Sequence, residues 1–374
     1  MGGDDARPEL SSDAVEVAPP SDTEVSAEDD ILVPLIDDGA PRLRELAELP
    51  IGATVAAGTE YRSVFDVPAT QQTVVRHFDT VTAENIMKMR YLHPEQDRFD
   101  FEEADRLVDW ARANDIDVHG HTFIWHADYQ IPEWMLDLDG DWNAMMDDHV
   151  ETIAAHFAGR VASWDVVNEA FADDGGYRDT LFLRNGGPEY LPRAFLAARR
   201  ADPEAELYYN DYGLECNQVK LDEVLAMVDR FAADGTPIDG IGVQMHVQLD
   251  WPELSCIEDA LGQLVATGLK IRVSEMDVPV NNIYNPDTPA YGELTTEAAE
   301  RQRVRYREVL TTYLNVVPPD QRGGIAFWGV WDGDSWLLSI AGADDWPLLF
   351  GGPADGPYEP KPSFYAVVEA LGAE

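Results

Sequence analysis

The run Val161-Ala162-Ser163-Trp164-Asp165-Val166-Val167-Asn168, followed at once by Glu169-Ala170, decides how the chain is read. It is a short β-like stretch that finishes on polar, chemically capable side chains. The same design recurs along the sequence. Strands are expected at 50–56, 74–79, 116–125, 161–168, 206–211, 239–246, 270–277 and 323–331. Helical patterns separate many of them, at 102–114, 143–158, 188–200, 217–233, 257–267 and 297–315, several with polar starts. Eight strand–helix repeats imply parallel strands joined by right-handed crossovers. At this count they close into an α/β (β/α)8 TIM barrel. Periodicity alone leaves an open, doubly wound sheet as the alternative.

The placement of polar residues favours the barrel. Asp79, His121, Trp125, Asn168, Glu169, Asn210, Asp211, Gln244, His246, Glu275, Asp277 and Trp328 all fall at or just past expected strand C-termini. In a parallel barrel those ends converge on one face, where active sites form. From about Pro41 the composition is even, with no linker that would split two domains. One catalytic barrel is therefore expected over 41–374, behind an acidic, Pro-bearing and disordered segment at 1–40.

Charge is the strongest global signal. Asp and Glu number 71 against 26 Lys and Arg, a net −45 in 374 residues. Such a surface repels nucleic acid, which excludes that class of partner, and it repels itself in dilute buffer. Near 1 M salt the screening length falls to about 3 Å and the repulsion largely disappears, so adaptation to a salty medium is expected. No run of about 18 apolar residues exists to span a membrane. Cys216 and Cys256 either pair or stay separate thiols. The N-terminus shows no positive region followed by an apolar core, hence no visible signal peptide.

Two carboxylic acids stand out for chemistry. Glu169 closes the fourth strand and Glu275 the seventh, in Val273-Ser274-Glu275-Met276-Asp277. Strands four and seven lie across the mouth of an eight-stranded barrel, so the two can face one substrate. A retaining glycosidase needs two carboxyl groups about 5–5.5 Å apart, one holding a proton and one ionised. Gln244 and His246 are expected to donate to Glu275 and keep it charged, with Asp277 fixing the His246 ring. Asn168 suits a sugar 2-hydroxyl. Glu169, with no comparable donor nearby, is then the acid/base and Glu275 the nucleophile.

Across residues 45–370 the motifs resemble those of glycoside hydrolase family 10, the endo-β-1,4-xylanases. They are Phe78-Asp79 through Lys88, Gly120 to His126, Trp164 to Ala170, Tyr209-Asn210-Asp211-Tyr212, Gly242 to His246, Ser274 to Asp277, and Phe327 to Trp336. The resemblance implies hydrolysis of xylan and xylo-oligosaccharides with retention, by a secreted monomer without metal or organic cofactor. It implies that Glu84, Asn85 and Lys88 bind sugar in the −2 and −1 subsites and that His121 and Trp125 form the −1 wall. Trp328 and Trp336 would close over the −1 sugar, with Tyr212 and Gln244 also contacting substrate. The sequence departs from the family pattern at Ala127-Asp128, Met89 and Trp331.

Other readings remain beside this one. A barrel acting on β-1,4-glucan would share the carboxylates. His119-Gly120-His121, with His126, His246 and Asp277, could mark a metal-dependent hydrolase. A xylan-binding barrel without turnover is a third class, and each polar residue singled out has a plain structural counterpart as a cap, ion pair or core aromatic.

Overall fold

The computed structural model describes residues 31–60, 62–138, 140–281, 291–341 and 344–372, with the side chains of 339–341 left out. Most of the acidic leader expected at 1–40 lies outside them. Eight strands form one closed parallel barrel in sequence order: β1 (Ile51–Val55), β2 (Thr80–Ala83), β3 (Asp117–Trp125), β4 (Ser163–Asn168), β5 (Glu206–Asp211), β6 (Gly240–Val243), β7 (Lys270–Met276) and β8 (Arg322–Phe327). Closure is made by β1 pairing with β8, Ile51 opposite Ile325. A helix follows each strand: α1 (Pro68–His77), α2 (Glu102–Ala113), α3 (Trp142–Phe157), α4 (Tyr190–Ala201), α5 (Gln218–Asp234), α6 (Leu254–Val265), α7 (Thr296–Val316) and α8 (Pro362–Ala370).

The stretch that opened the reading packs through one close approach. Trp164 in β4 is fully buried and stacks on Phe123 of β3, centroids 4.2 Å apart. A Cβ on Gly120 would lie 2.0 Å from the Trp164 ring, so only glycine lets the indole lie across β3.

The second strand differs from expectation. Residues 74–77 end α1, which Pro68 begins, and β2 starts only at Thr80. Val74 and Val75 are buried from a helix instead of a strand, a distinction that a short apolar pair cannot signal. Asp79 consequently stands at the start of β2, at the barrel floor. There its Oδ1 accepts the Ile51 N–H at 2.7 Å, far from the catalytic face. β6 and β8 also stop early, at Val243 and Phe327, so Gln244, His246 and Trp328 sit in the loops above the barrel.

Of the two readings left open for the cysteines, pairing is found: Cys216 and Cys256 form a disulfide between the β5–α5 loop and α6. No helix among the described residues is long and apolar enough to cross a membrane.

Candidate active site

A cleft of about 870 Å³ opens over the C-terminal ends of the strands. Glu84, Asn85, Lys88, His121, Trp125, Asn168, Glu169, Tyr212, Gln244, His246, Glu275, Trp328 and Trp336 all line it. Asp277 stands one side chain behind, against His246 and Trp336.

Two backbone turns aim these groups. Glu169 has φ +57°, left-handed for a residue with a Cβ, and Met245 has φ +61°. Such a conformation costs on the order of 1–3 kcal/mol and persists where neighbours over-determine it. At Glu169 they do. Its N–H donates to the Asn210 carbonyl at 2.9 Å, Arg178 Nε donates to its carbonyl at 3.2 Å, and the Ala170 N–H donates to Tyr209 Oη at 3.0 Å.

Glu275 is buried and held on both oxygens. Asn210 Nδ2 donates to Oε1 at 2.7 Å, and His246 Nε2 lies 3.2 Å from Oε2. The other His246 nitrogen, Nδ1, is 3.0 Å from Asp277 Oδ2, which also accepts Trp336 Nε1 at 2.8 Å. Burial opposes a charge on His246, but Asp277 and Glu275 together raise its pKa well above 6.5. The ring thus sits between two carboxylates that favour its charged form, with Asp277 on the Nδ1 side.

The surroundings of Glu169 correct the sequence reading. Gln244 donates to Glu169 Oε1 at 3.1 Å and to Asn168 Oδ1 at 3.3 Å, not to Glu275. Asn168 Nδ2 reaches the same Glu169 oxygen at 3.2 Å, so this carboxyl does have local donors. The cause is the early end of β6. Past Val243 strand alternation lapses, and the left-handed turn at Met245 separates Gln244 from His246. Asn210 completes the link, donating to Asn168 Oδ1 at 3.0 Å as well as to Glu275. Glu169 and Glu275 are thus joined through Asn168 and Asn210.

At the β2 end, Lys88 lies beneath the Trp125 ring, 4.4 Å from its centre, with Nζ 3.0 Å from Asn85 Oδ1. Burial lowers the Lys88 ammonium, although Glu84 and Glu275 oppose this. Burial, with Glu60 adding to it, raises the Glu84 carboxyl to about 7. Glu60, absent from the sequence reading, accepts from Asn85 Nδ2 at 2.5 Å. So was Gln130, which donates to Asn85 Oδ1 at 3.1 Å. After the departure at Ala127-Asp128, a glutamine from farther along the same loop thus braces Asn85, which lines the cleft. Tyr129 and Trp251, 64% and 49% exposed, also line the cleft; only their aromatic character within barrel-top loops could have flagged them.

His119 and His121 turn to the barrel interior and share Asp165, with Oδ2 3.1 Å from His119 Nε2 and 2.8 Å from His121 Nδ1. His119 Nδ1 is 2.6 Å from Ser163 Oγ. The HxH pair is accounted for as an ion-pair and hydrogen-bond cluster. Among the described residues no three His, Cys, Asp or Glu side chains converge as a metal-binding group.

Residues 43–370 match the family model described as glycosyl hydrolase family 10. The chain belongs to that family. It is 44% identical to endo-1,4-beta-xylanase A of Cellvibrio japonicus over 348 residues, 88% of this chain and 56% of that protein. It thus spans little more than half of that relative. Identity to endo-1,4-beta-xylanase B of Thermotoga neapolitana is 36%, covering 88% of this chain and 91% of the relative. The solved catalytic core of xylanase A superposes with a TM-score of 0.83, covering 88% of this chain and all of that one, at 44% identity. A Cellvibrio japonicus xylanase 10C mutant, solved in complex with xylopentaose, gives 0.85 at 38% identity, covering 91% of this chain and 71% of that one.

Proposed function

We propose that the chain is a retaining endo-1,4-β-xylanase with Glu275 as nucleophile and Glu169 as general acid/base. The observation that carries the reading is the hydrogen-bonded path Glu169–Asn168–Asn210–Glu275 across one cleft. Glu275 is held on both oxygens, by Asn210 and His246. It attacks the anomeric carbon to form a glycosyl-enzyme. Glu169 receives both amide donors on Oε1, which leaves Oε2 to carry the proton for the leaving oxygen. In the second half-reaction the deprotonated Glu169 takes a proton from water, which releases the sugar with its configuration retained.

Pyranose rings present apolar faces that suit the indoles of Trp328 and Trp336, while Glu84, Asn85, Lys88, His121 and Asn168 read hydroxyl groups. Similarity to xylanases supports xylan and xylo-oligosaccharides as substrates. The deciding assay is reducing-sugar release from xylan against carboxymethyl cellulose in molar salt, with the anomer of the first product read by NMR. Preference for the cellulose derivative would replace the xylan reading with the glucan one. An inverted anomer would remove the glycosyl-enzyme, and absence of turnover on either polymer would leave a binding barrel.

We further propose that the protein works as a monomer outside the cell, where its polymeric substrate is, and in high salt. The lysines support the last point. Of four, Lys88, Lys220 and Lys361 are buried, which leaves Lys270 as the partly exposed one. Surface cations are otherwise arginines, whose planar fork pairs with carboxylates, as Arg193 does with Asp147 at 2.6 and 2.7 Å. An unfolding midpoint unchanged between 0.1 M and about 2 M salt would contradict a salt requirement.

A further inference from the structure

The cleft wall opposite Glu84 is built by two consecutive loops. The loop after β5 supplies Tyr212, Gly213 and Glu215, and the loop after β6 supplies Gln248 and Trp251. In an eight-stranded ring β6 stands across from β2. With the Glu84 end holding the sugars retained on the enzyme, this wall meets the sugars that leave.

Each loop is moored away from the other. On the β5 side, Tyr212 Oη lies 2.9 Å from Arg178 Nη2 and 3.1 Å from Asp173 Oδ2. Asn217 Nδ2 donates to the Asp173 carbonyl at 2.9 Å, and Lys220 Nζ is 2.8 Å from Asp173 Oδ1. All of these run toward the loop after β4. On the β6 side, Arg305 donates to the carbonyls of Gln248 and Pro252 at 2.9 and 2.5 Å, and Arg301 pairs with Asp250 at 2.5 Å. Those anchors belong to α7.

Across the gap between the loops runs the disulfide. Cys216 directly follows Glu215, and Cys256 lies in the first turn of α6, a few residues past Trp251. Below it Gln218 and Gln263 exchange amide hydrogen bonds at 2.9 and 3.0 Å, but both are exposed and easily replaced by water.

We propose that the Cys216–Cys256 disulfide is a positioning element for the leaving-group half of the cleft. It fixes the spacing between the Glu215 loop and the Trp251 loop and so sets affinity for sugars beyond the cleaved bond. The inference rests on the xylanase reading above. A sugar seated between two independently moored loops must arrest their relative motion, and ordering such elements weakens binding; a covalent tie made during folding removes that cost from the binding step. Neither cysteine lines the cleft, so the effect is expected on sugars beyond the cleaved bond and not on the chemical step at Glu169 and Glu275.

The test compares wild type with Cys216→Ser/Cys256→Ser and Cys216→Ala/Cys256→Ala on two substrates. Xylohexaose places sugars on both sides of the cleaved bond, whereas 4-nitrophenyl β-xylobioside places only the aromatic group on the leaving side. The expected result is a kcat/KM for xylohexaose lowered about fivefold, mainly through KM, with the nitrophenyl substrate changed by less than about twofold. Dithiothreitol-reduced wild type should behave as the variants do. Equal losses on both substrates, or a lowered unfolding midpoint with unchanged kinetics, would show a disulfide that serves stability alone and would overturn the proposal. Wild type inactive on xylohexaose would instead overturn the xylanase reading beneath it, and the parent enzyme alone reveals that case.

Discussion

Asn210 Nδ2 donates to Glu275 Oε1 at 2.7 Å from the neighbourhood of β5, two strands away from the carboxylate it serves. Asn210 is itself fixed, since Ser274 Oγ donates to its Oδ1 at 2.6 Å and its second N–H engages Asn168. A donor held this firmly needs no rearrangement during reaction if Glu275 is the nucleophile proposed above. Asn210→Ala is expected to lower kcat/KM on xylo-oligosaccharides about 100-fold, the usual loss for one preorganised donor. Steady-state kinetics beside a circular-dichroism check of folding would test it, and a loss under about threefold would contradict the role.

The two carboxylates should separate by substrate. Glu275→Ala is expected to abolish turnover of xylan and aryl xylobiosides alike. Glu169→Ala should lose about 100- to 10,000-fold on xylan. With dinitrophenyl xylobioside its first step should survive, because that leaving group needs no proton. A burst of dinitrophenol followed by slow turnover, accelerated by added azide, is the signature to seek. Glu169→Ala without a burst, inert to azide, would reverse the assignment.

Much of this architecture was legible in the sequence because barrel strands end in functional side chains, and loops carry what the strands point at. The path from Val161 to Glu169 and the match of β5 to 206–211 follow from that rule. What escaped depended on where strands stop. The Val74-Val75 pair reads the same in a helix and a strand, so β2 was misplaced and Asp79 went to the wrong end of the barrel. The partner of Gln244 turned on a left-handed residue, Met245, that no side-chain pattern announces. Glu60 and Gln130 belong to loops whose course only packing defines. The approach of Asp277 to His246 was legible from the strand ends, whereas its second partner, Trp336, comes from a loop whose course only packing defines.

His246 supplies a pH-dependent prediction. Burial acts against its charge, but Asp277 and Glu275 raise its pKa well above 6.5. A raised histidine contributes stability in full below its unfolded pKa, and loses that contribution as pH climbs through the folded value. The stability advantage of wild type over His246→Asn should therefore shrink as pH rises above about 6.5. Denaturant titrations at several pH values would measure it, and an advantage that grows with pH would show a neutral ring in the folded state. The substitution should also cost about 100-fold in kcat/KM by removing the donor to Glu275 Oε2.

Glu84 gives the opposite kind of titration. Burial, reinforced by Glu60 and opposed by Lys88, raises its carboxyl from 4.5 to about 7. Between those values the folded chain keeps a proton that the unfolded chain has released, so stability falls as pH rises through that window. Below about 7 a neutral Glu84 both donates to and accepts from a sugar hydroxyl, and above it the carboxylate only accepts. The KM for xylo-oligosaccharides should change with a midpoint near 7, while Glu84→Gln, which keeps donor and acceptor at every pH, should flatten that dependence. The same variant should lose less stability between pH 5 and 8 than wild type does. A KM midpoint that persists in Glu84→Gln would assign the titration to another group, and an identical pH dependence of stability would show that Glu84 is already ionised in the folded protein.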